Sequence, residues 1–108
     1  MTGKITWRYL IIWEFCPKAG AERRFEEVYR SHGAWARFFQ QDQGFIRTEL
    51  IRDCSHARRY LTLDFWVSRE VSERFRARHT EEYQALDRQC EALTEQEREL
   101  GRFERLEP

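Results

Sequence analysis

"RRYLTLDFWVS", residues 58 to 68, alternates Leu61, Leu63, Phe65 and Val67 with Tyr60, Thr62, Asp64 and Trp66. A period of two is the period of a strand, and it sends the two sets to opposite faces of a sheet. The leucines, Phe65 and Val67 form an apolar packing face. The other set lodges a carboxylate between large aromatic rings, a poor composition for a face open to water. The stretch predicts a strand enclosed on both sides, and it raises the question of what Asp64 meets.

Working outward, "ITWRYLIIWEF", 5 to 15, is rich in β-branched and aromatic residues and reads as a long strand, turned by "CPKAG". From Ala21 the period changes. Phe25, Val28, Tyr29, His32, Trp35 or Ala36, and Phe39 recur at helical steps, with Gly33 as a kink or interruption. "DQG" ends that helix, "FIRTELIRD", 45 to 53, is a second strand, and "CSHA" connects it to the opening stretch. Ser68 is placed to cap the next helix, with Glu70 in its first turn. Its stripe is Val71, Phe75, His79, Tyr83, Leu86, Cys90 and Leu93, and Thr80 is a candidate cap for a restart after a jog. "TEQE", 94 to 97, reads as a capping box for one short turn, and Gly101 releases the chain into a short last strand, "RFERL". The order βαββαβ predicts one α+β domain over residues 1–108, a ferredoxin-like antiparallel sheet with its helices on one face.

That arrangement leaves the Leu61, Leu63 and Phe65 face uncovered, and an apolar patch of that kind marks an interface. A second copy packed on it by two-fold symmetry is the expected partner, giving a homodimer. Nineteen basic and nineteen acidic residues cancel in the 108-residue chain and are interspersed, which argues against a nucleic-acid partner. No apolar run approaches the roughly 18–20 residues of a membrane span, and "MTGKITWRYL" lacks a signal-peptide core. Cys16, Cys54 and Cys90 are an odd, widely spaced set, read as free thiols of a cytoplasmic protein. "CSH", 54 to 56, lacks the second ligand pair of a metal site.

"KAGAE" after the first strand, "FEEVY" on the first helix, "GAWARFF", "QGFIRTELIRD", "RYLTLDFWVSRE" and the Phe and Tyr of the second helix carry a likeness over residues 5 to 105. On them the chain resembles the antibiotic-biosynthesis-monooxygenase (ABM) superfamily of dimeric α+β barrels. The resemblance implies a cavity between helices and sheet that binds hydrophobic ligands. Some members of that superfamily oxygenate aromatic polyketides or quinols without metal or flavin, others degrade haem, and many have no known activity. Haem-degrading members use an asparagine on the first strand, a tryptophan closing the third and a histidine on the second helix. Trp66 matches the tryptophan and His79 lies further along its helix than that histidine. Trp13 or Glu14 stands where the asparagine would be, so haem is the lesser expectation and no cofactor the leading one.

The helical stripes and strand alternation put His32, Trp35, Phe39, Phe75, His79 and Tyr83 above a sheet face of Tyr9, Ile11, Trp13, Tyr60, Asp64 and Trp66. Asp64, His79 and His32 are the candidate catalytic residues. Trp13, Trp35, Phe39, Tyr60, Trp66, Phe75 and Tyr83 are the candidate substrate-binding residues. Burial favours a neutral Asp64 and a nearby imidazolium a charged one; either tunes a base for a phenolic or enolic proton. The electron-rich carbanion so formed can pass an electron to O2. Two other readings stand beside that of a cofactor-independent monooxygenase acting on a small aromatic or quinol-like compound. One is a non-catalytic dimeric module that binds a small ligand or only packs its own aromatics, with Asp64 paired to His32, His79 or an arginine. The other is haem binding. Glu14 on the opposite face is expected to pair with Arg8 or Arg47, His56 to be solvated in its turn, and Cys16 and Cys90 to fill small apolar gaps.

Overall fold

Strand β1 (Tyr9–Pro17) is the centre of the sheet, and everything else is placed by what pairs with it or packs on it. The computed structural model describes residues 6–107, so Ile5 of the expected first strand lies outside the described residues. After β1 come α1 (Glu22–Tyr29), α2 (Ala34–Phe39), β2 (Phe45–Arg52), β3 (Tyr60–Trp66), α3 (Arg69–Arg78), α4 (Thr80–Cys90) and β4 (Thr94–Glu104). The sheet order is β2-β3-β1-β4 with every neighbouring pair antiparallel. This is the predicted ferredoxin-like α+β arrangement, and β3 is the opening stretch of the sequence.

The core is aromatic. Phe25 and Tyr29, one turn apart on α1, stack with centroids 4.3 Å apart. Phe25 also meets Phe15 of β1 at 5.4 Å and Tyr60 of β3 at 5.0 Å. Phe75 of α3 fills the other end, against Trp66 at 5.6 Å and Phe39 at 5.9 Å. Phe25 and Phe75 are essentially fully buried, each contributing about 1.5–3 kcal/mol by the usual transfer value.

The helical stripe drawn across Gly33 is broken there. Arg30 turns extended (ψ 173°), and the chain then folds back so tightly that a β carbon on Gly33 would sit 2.2 Å from the Val28 carbonyl oxygen. The link takes His32 out of phase and leaves it exposed, whereas α2 returns Trp35, Ala36 and Phe39 to the core. Ser68 caps α3 as expected, its Oγ accepting the Val71 N–H at 3.1 Å. The jog falls at His79 (φ −120°, ψ 31°). Thr80 does not cap the restart: its hydroxyl donates backwards, to the carbonyl oxygens of Arg76 at 3.0 Å and Ala77 at 3.2 Å.

The C-terminal expectation needs the largest correction. "TEQE" is not a turn; a short 3-10 turn at Glu91–Leu93 precedes it, and β4 then runs through Thr94–Glu104 along the whole of β1. Its charged composition argues against a strand, but the free edge of β1 offers continuous pairing, and pairing outweighs a weak local propensity. Ile12 faces Gly101 and Trp13 faces Glu99, so Leu100 is the extra residue of a bulge, and Gly101 lies inside the strand rather than before it.

Away from the helices, the pairing aligns Leu10, Ile12, Leu61, Leu63, Phe65 and Phe103 on one sheet surface. Trp7 covers Phe65 with an edge contact at 5.3 Å, and the Arg47 guanidinium lies 4.1 Å over the same ring. Phe103 and Ile51 stay exposed at 46% and 45%. Charged groups that neutralise one another border the apolar strip. Arg47 bonds Glu49 at 2.7 Å, and Glu14 is bracketed by Arg98 and Arg59 rather than by Arg8 or Arg47. Those arginines, Arg98 foremost, hold the Glu14 carboxyl below its ordinary range.

Candidate active site

Asp64 sits in mid-β3 on the helix side of the sheet, 8% exposed. The β2–β3 register sets Thr48 directly opposite, and the Thr48 hydroxyl donates to Asp64 Oδ1 at 2.6 Å. That is its only side-chain hydrogen bond among the described residues, and no arginine, lysine or histidine pairs with it. The expected structural partners are therefore replaced by a neutral hydroxyl. Burial pushes the Asp64 carboxyl up to about 6, against the opposing pull of the Thr48 bond. A carboxylate in this state is a base matched to neutral solution.

Two compartments meet at Asp64. The narrower, about 40 Å³, is lined by Trp35 together with Thr48, Thr62, Asp87 and Glu97. The wider, about 260 Å³, extends past Trp66 and Phe75 to a rim at Ser72 and Arg76. Trp13, Phe39, Asp64 and Tyr83 border both. Partial burial raises the Glu97 carboxyl, and Asp87 and then Glu91 add to the rise. Burial likewise raises the Tyr83 phenol, so it stays protonated and able to donate.

Seven of the residues singled out in the sequence come together here: Asp64, Trp13, Trp35, Phe39, Trp66, Phe75 and Tyr83. Three stand apart. His32 is exposed in the α1–α2 link and borders an outer cleft with Glu26 and Arg30, because the broken helix no longer carries it over the sheet. His79 packs on the Phe75 ring at 4.4 Å, and its Nδ1 lies 2.6 Å from Glu82 Oε1, so it lines neither compartment. Tyr60 packs on Phe25 and hydrogen-bonds Glu26 at the far end of the core. His56 is exposed in its turn. Cys90 is buried, but Cys16 is no apolar filler: its thiol bonds Glu95 at 3.3 Å with the Arg58 guanidinium 3.5 Å away.

Thr48, Asp87, Glu97 and Arg76 join those seven without being marked by the sequence pattern. Thr48 had a signal: with the connection centred on His56, pairing brings residue 48 opposite residue 64. Glu97 had none, since the strand that carries it is charged and largely exposed and shows no alternation.

Comparison with solved structures covers nearly the whole chain. PA3566 from Pseudomonas aeruginosa matches with a TM-score of 0.66 and 20% identity, over 97% of this chain and 100% of that one. SnoaB from Streptomyces nogalater, a cofactor-independent oxygenase, matches with a TM-score of 0.66 and 19% identity, over 95% and 97%. The chain has the ABM fold. SO0527 from Shewanella oneidensis shares it at a TM-score of 0.60 and 17% identity, over 94% and 95%. No protein-family model and no curated protein matches the chain by sequence. Within this ABM fold no histidine lines the two compartments among the described residues, so the residues present do not fit a histidine-ligated haem. Among the described residues no group of three or more His, Cys, Asp or Glu is arranged to hold a metal ion.

Proposed function

We propose that the chain is a cofactor-independent monooxygenase in which Asp64 removes a phenolic or enolic proton from a small aromatic or quinol-like compound. The observation that carries this reading is the buried carboxylate, paired with no cation, in the wall of an aromatic-lined cavity. The substrate proton passes to Asp64, and the carbanion gives one electron to O2. Substrate radical and superoxide combine to a C–O bond, and protonation gives a hydroperoxide. Loss of water leaves a carbonyl, so a CH2 group and O2 become C=O and H2O. Trp13, Phe39, Trp66, Phe75 and Tyr83 hold the ring and keep bulk water away. The fold likeness to SnoaB supports the reading. O2 consumption with a panel of hydroquinones and anthrones is the test, with Asp64→Asn expected to lose most of the rate; equal rates remove Asp64 from the mechanism.

The alternative of a non-catalytic binding module draws on the narrow compartment. At about 40 Å³ it has room for a water and not for a ring, so the aromatics already fill much of the space over Asp64. Ligand binding without O2 uptake across the same panel would favour it.

The same proposal includes a homodimer through the helix-free sheet face. An apolar strip bordered by internally neutralised ion pairs suits a copy of itself, since two-fold docking opposes no unpaired charge.

A further inference from the structure

We infer that the ligand of the wider compartment is a hydroxyaryl carboxylate of one or two rings, and that Arg76 selects it by pairing with the carboxylate. This deepens the oxygenase reading and rests on it for what Asp64 does to the ligand's hydroxyl. Four charged side chains besides Asp64 border the compartment: Glu73, Glu99, Arg76 and Arg102. Three are committed elsewhere, Glu73 to Arg69 at 2.8 Å and Glu99 to Arg102 at 3.0 Å. Arg76 makes no ion pair among the described residues; its guanidinium rests 3.6 Å over the centroid of the Tyr83 ring. A cation–π contact positions the group without neutralising it, and the planar fork is left free for a carboxylate. Ser72, one turn earlier on the same face of α3, is 7% exposed and lines the same compartment.

The opposite end of the cavity fixes the orientation. Beyond Asp64 the narrow compartment carries Asp87 and Glu97, which repel an anion. The charged end of a ligand therefore belongs at Arg76, its ring against the wall that Trp66, Phe75 and Phe39 form together, and its hydroxyl at Asp64. A volume of about 260 Å³ lies just under the usual range of about 300–1,000 Å³ for drug-sized ligands, which limits the ring system to one or two.

The test compares 6-hydroxy-2-naphthoate, whose hydroxyl and carboxylate lie at opposite ends, with neutral 2-naphthol. Both are titrated by anaerobic calorimetry into the wild type, Arg76→Met and Arg78→Met, with circular dichroism as the check of folding. Arg78 is exposed on the same helix and borders neither compartment. The wild type and Arg78→Met are expected to bind the acid roughly tenfold more tightly than naphthol, and Arg76→Met to lose that preference. Equal affinities in the wild type, a preference that survives in Arg76→Met, or no binding of either compound would overturn the inference. Arg76-dependent binding of the acid without O2 uptake by any hydroquinone or anthrone would uphold this ligand class and sink the oxygenase reading instead. Uptake with hydroquinones or anthrones, together with no Arg76-dependent preference for the acid, would do the reverse.

Discussion

A single proton on Asp64 ties the proposed chemistry to stability. In the proposed mechanism the carboxylate is the base and works only when ionised, so kcat/KM is expected to rise with pH and level off above about 6. Thr48→Val removes the one hydrogen bond that favours the charged form and should move that inflection upward, measured as the pH–rate profile of each protein. The stability effect has the opposite sign. The unfolded chain ionises this group near 3.8 and the folded chain near 6, so the folded state binds more protons between those values. Stability from this group is thus lost as pH rises through that window, and above it the cost is constant. Asp64→Asn should therefore raise stability at pH 8 by up to about 3 kcal/mol and by little at pH 4, read from urea midpoints. A larger gain at pH 4 than at pH 8 would contradict the burial account. The sequence exposed Asp64 as an anomaly because alternation is a property of one strand. It gave no reason to discard the two histidines, whose positions depend on where a helix breaks.

That break is an event at the level of elements. The spacing from Phe25 to Phe39 stays in phase across Gly33, and periodicity alone cannot register a link that shifts the axis while preserving the phase of the apolar residues around it. Gly33 is required by close approach, not by an unusual φ: any β carbon there meets the Val28 and Glu27 carbonyls at 2.2 and 2.6 Å. Gly33→Ala is expected to cost about 1–3 kcal/mol, the range for forcing volume into a packed site, with α2 and Trp35 displaced from the cavity roof. Chemical denaturation measures the cost, and an unchanged midpoint would mean that α2 simply moves outward. β4 was hidden for a different reason. Its residues carry no alternation because both of its faces are largely exposed, and only the long β1 beside it reveals that it is a strand.

At the scale of the whole molecule, Leu63 lies near the middle of the sheet surface left open by the helices. Sedimentation at micromolar concentration should show a dimer for the wild type and a folded monomer for Leu63→Glu, since a carboxylate buried against its own copy has no partner. A folded wild-type monomer would end that proposal. Among the described residues no helix is long and apolar enough to cross a membrane. The tryptophans add a practical consequence. Of the four in the chain, Trp13, Trp35 and Trp66 wall the two compartments, while Trp7 covers the opposite face of the sheet. Their emission is a built-in gauge of occupancy: a ring entering the cavity should quench the three and spare Trp7, whose light should change instead when the sheet faces meet. Trp7→Phe would leave the filling signal alone, so its difference from the wild type reports assembly without a label.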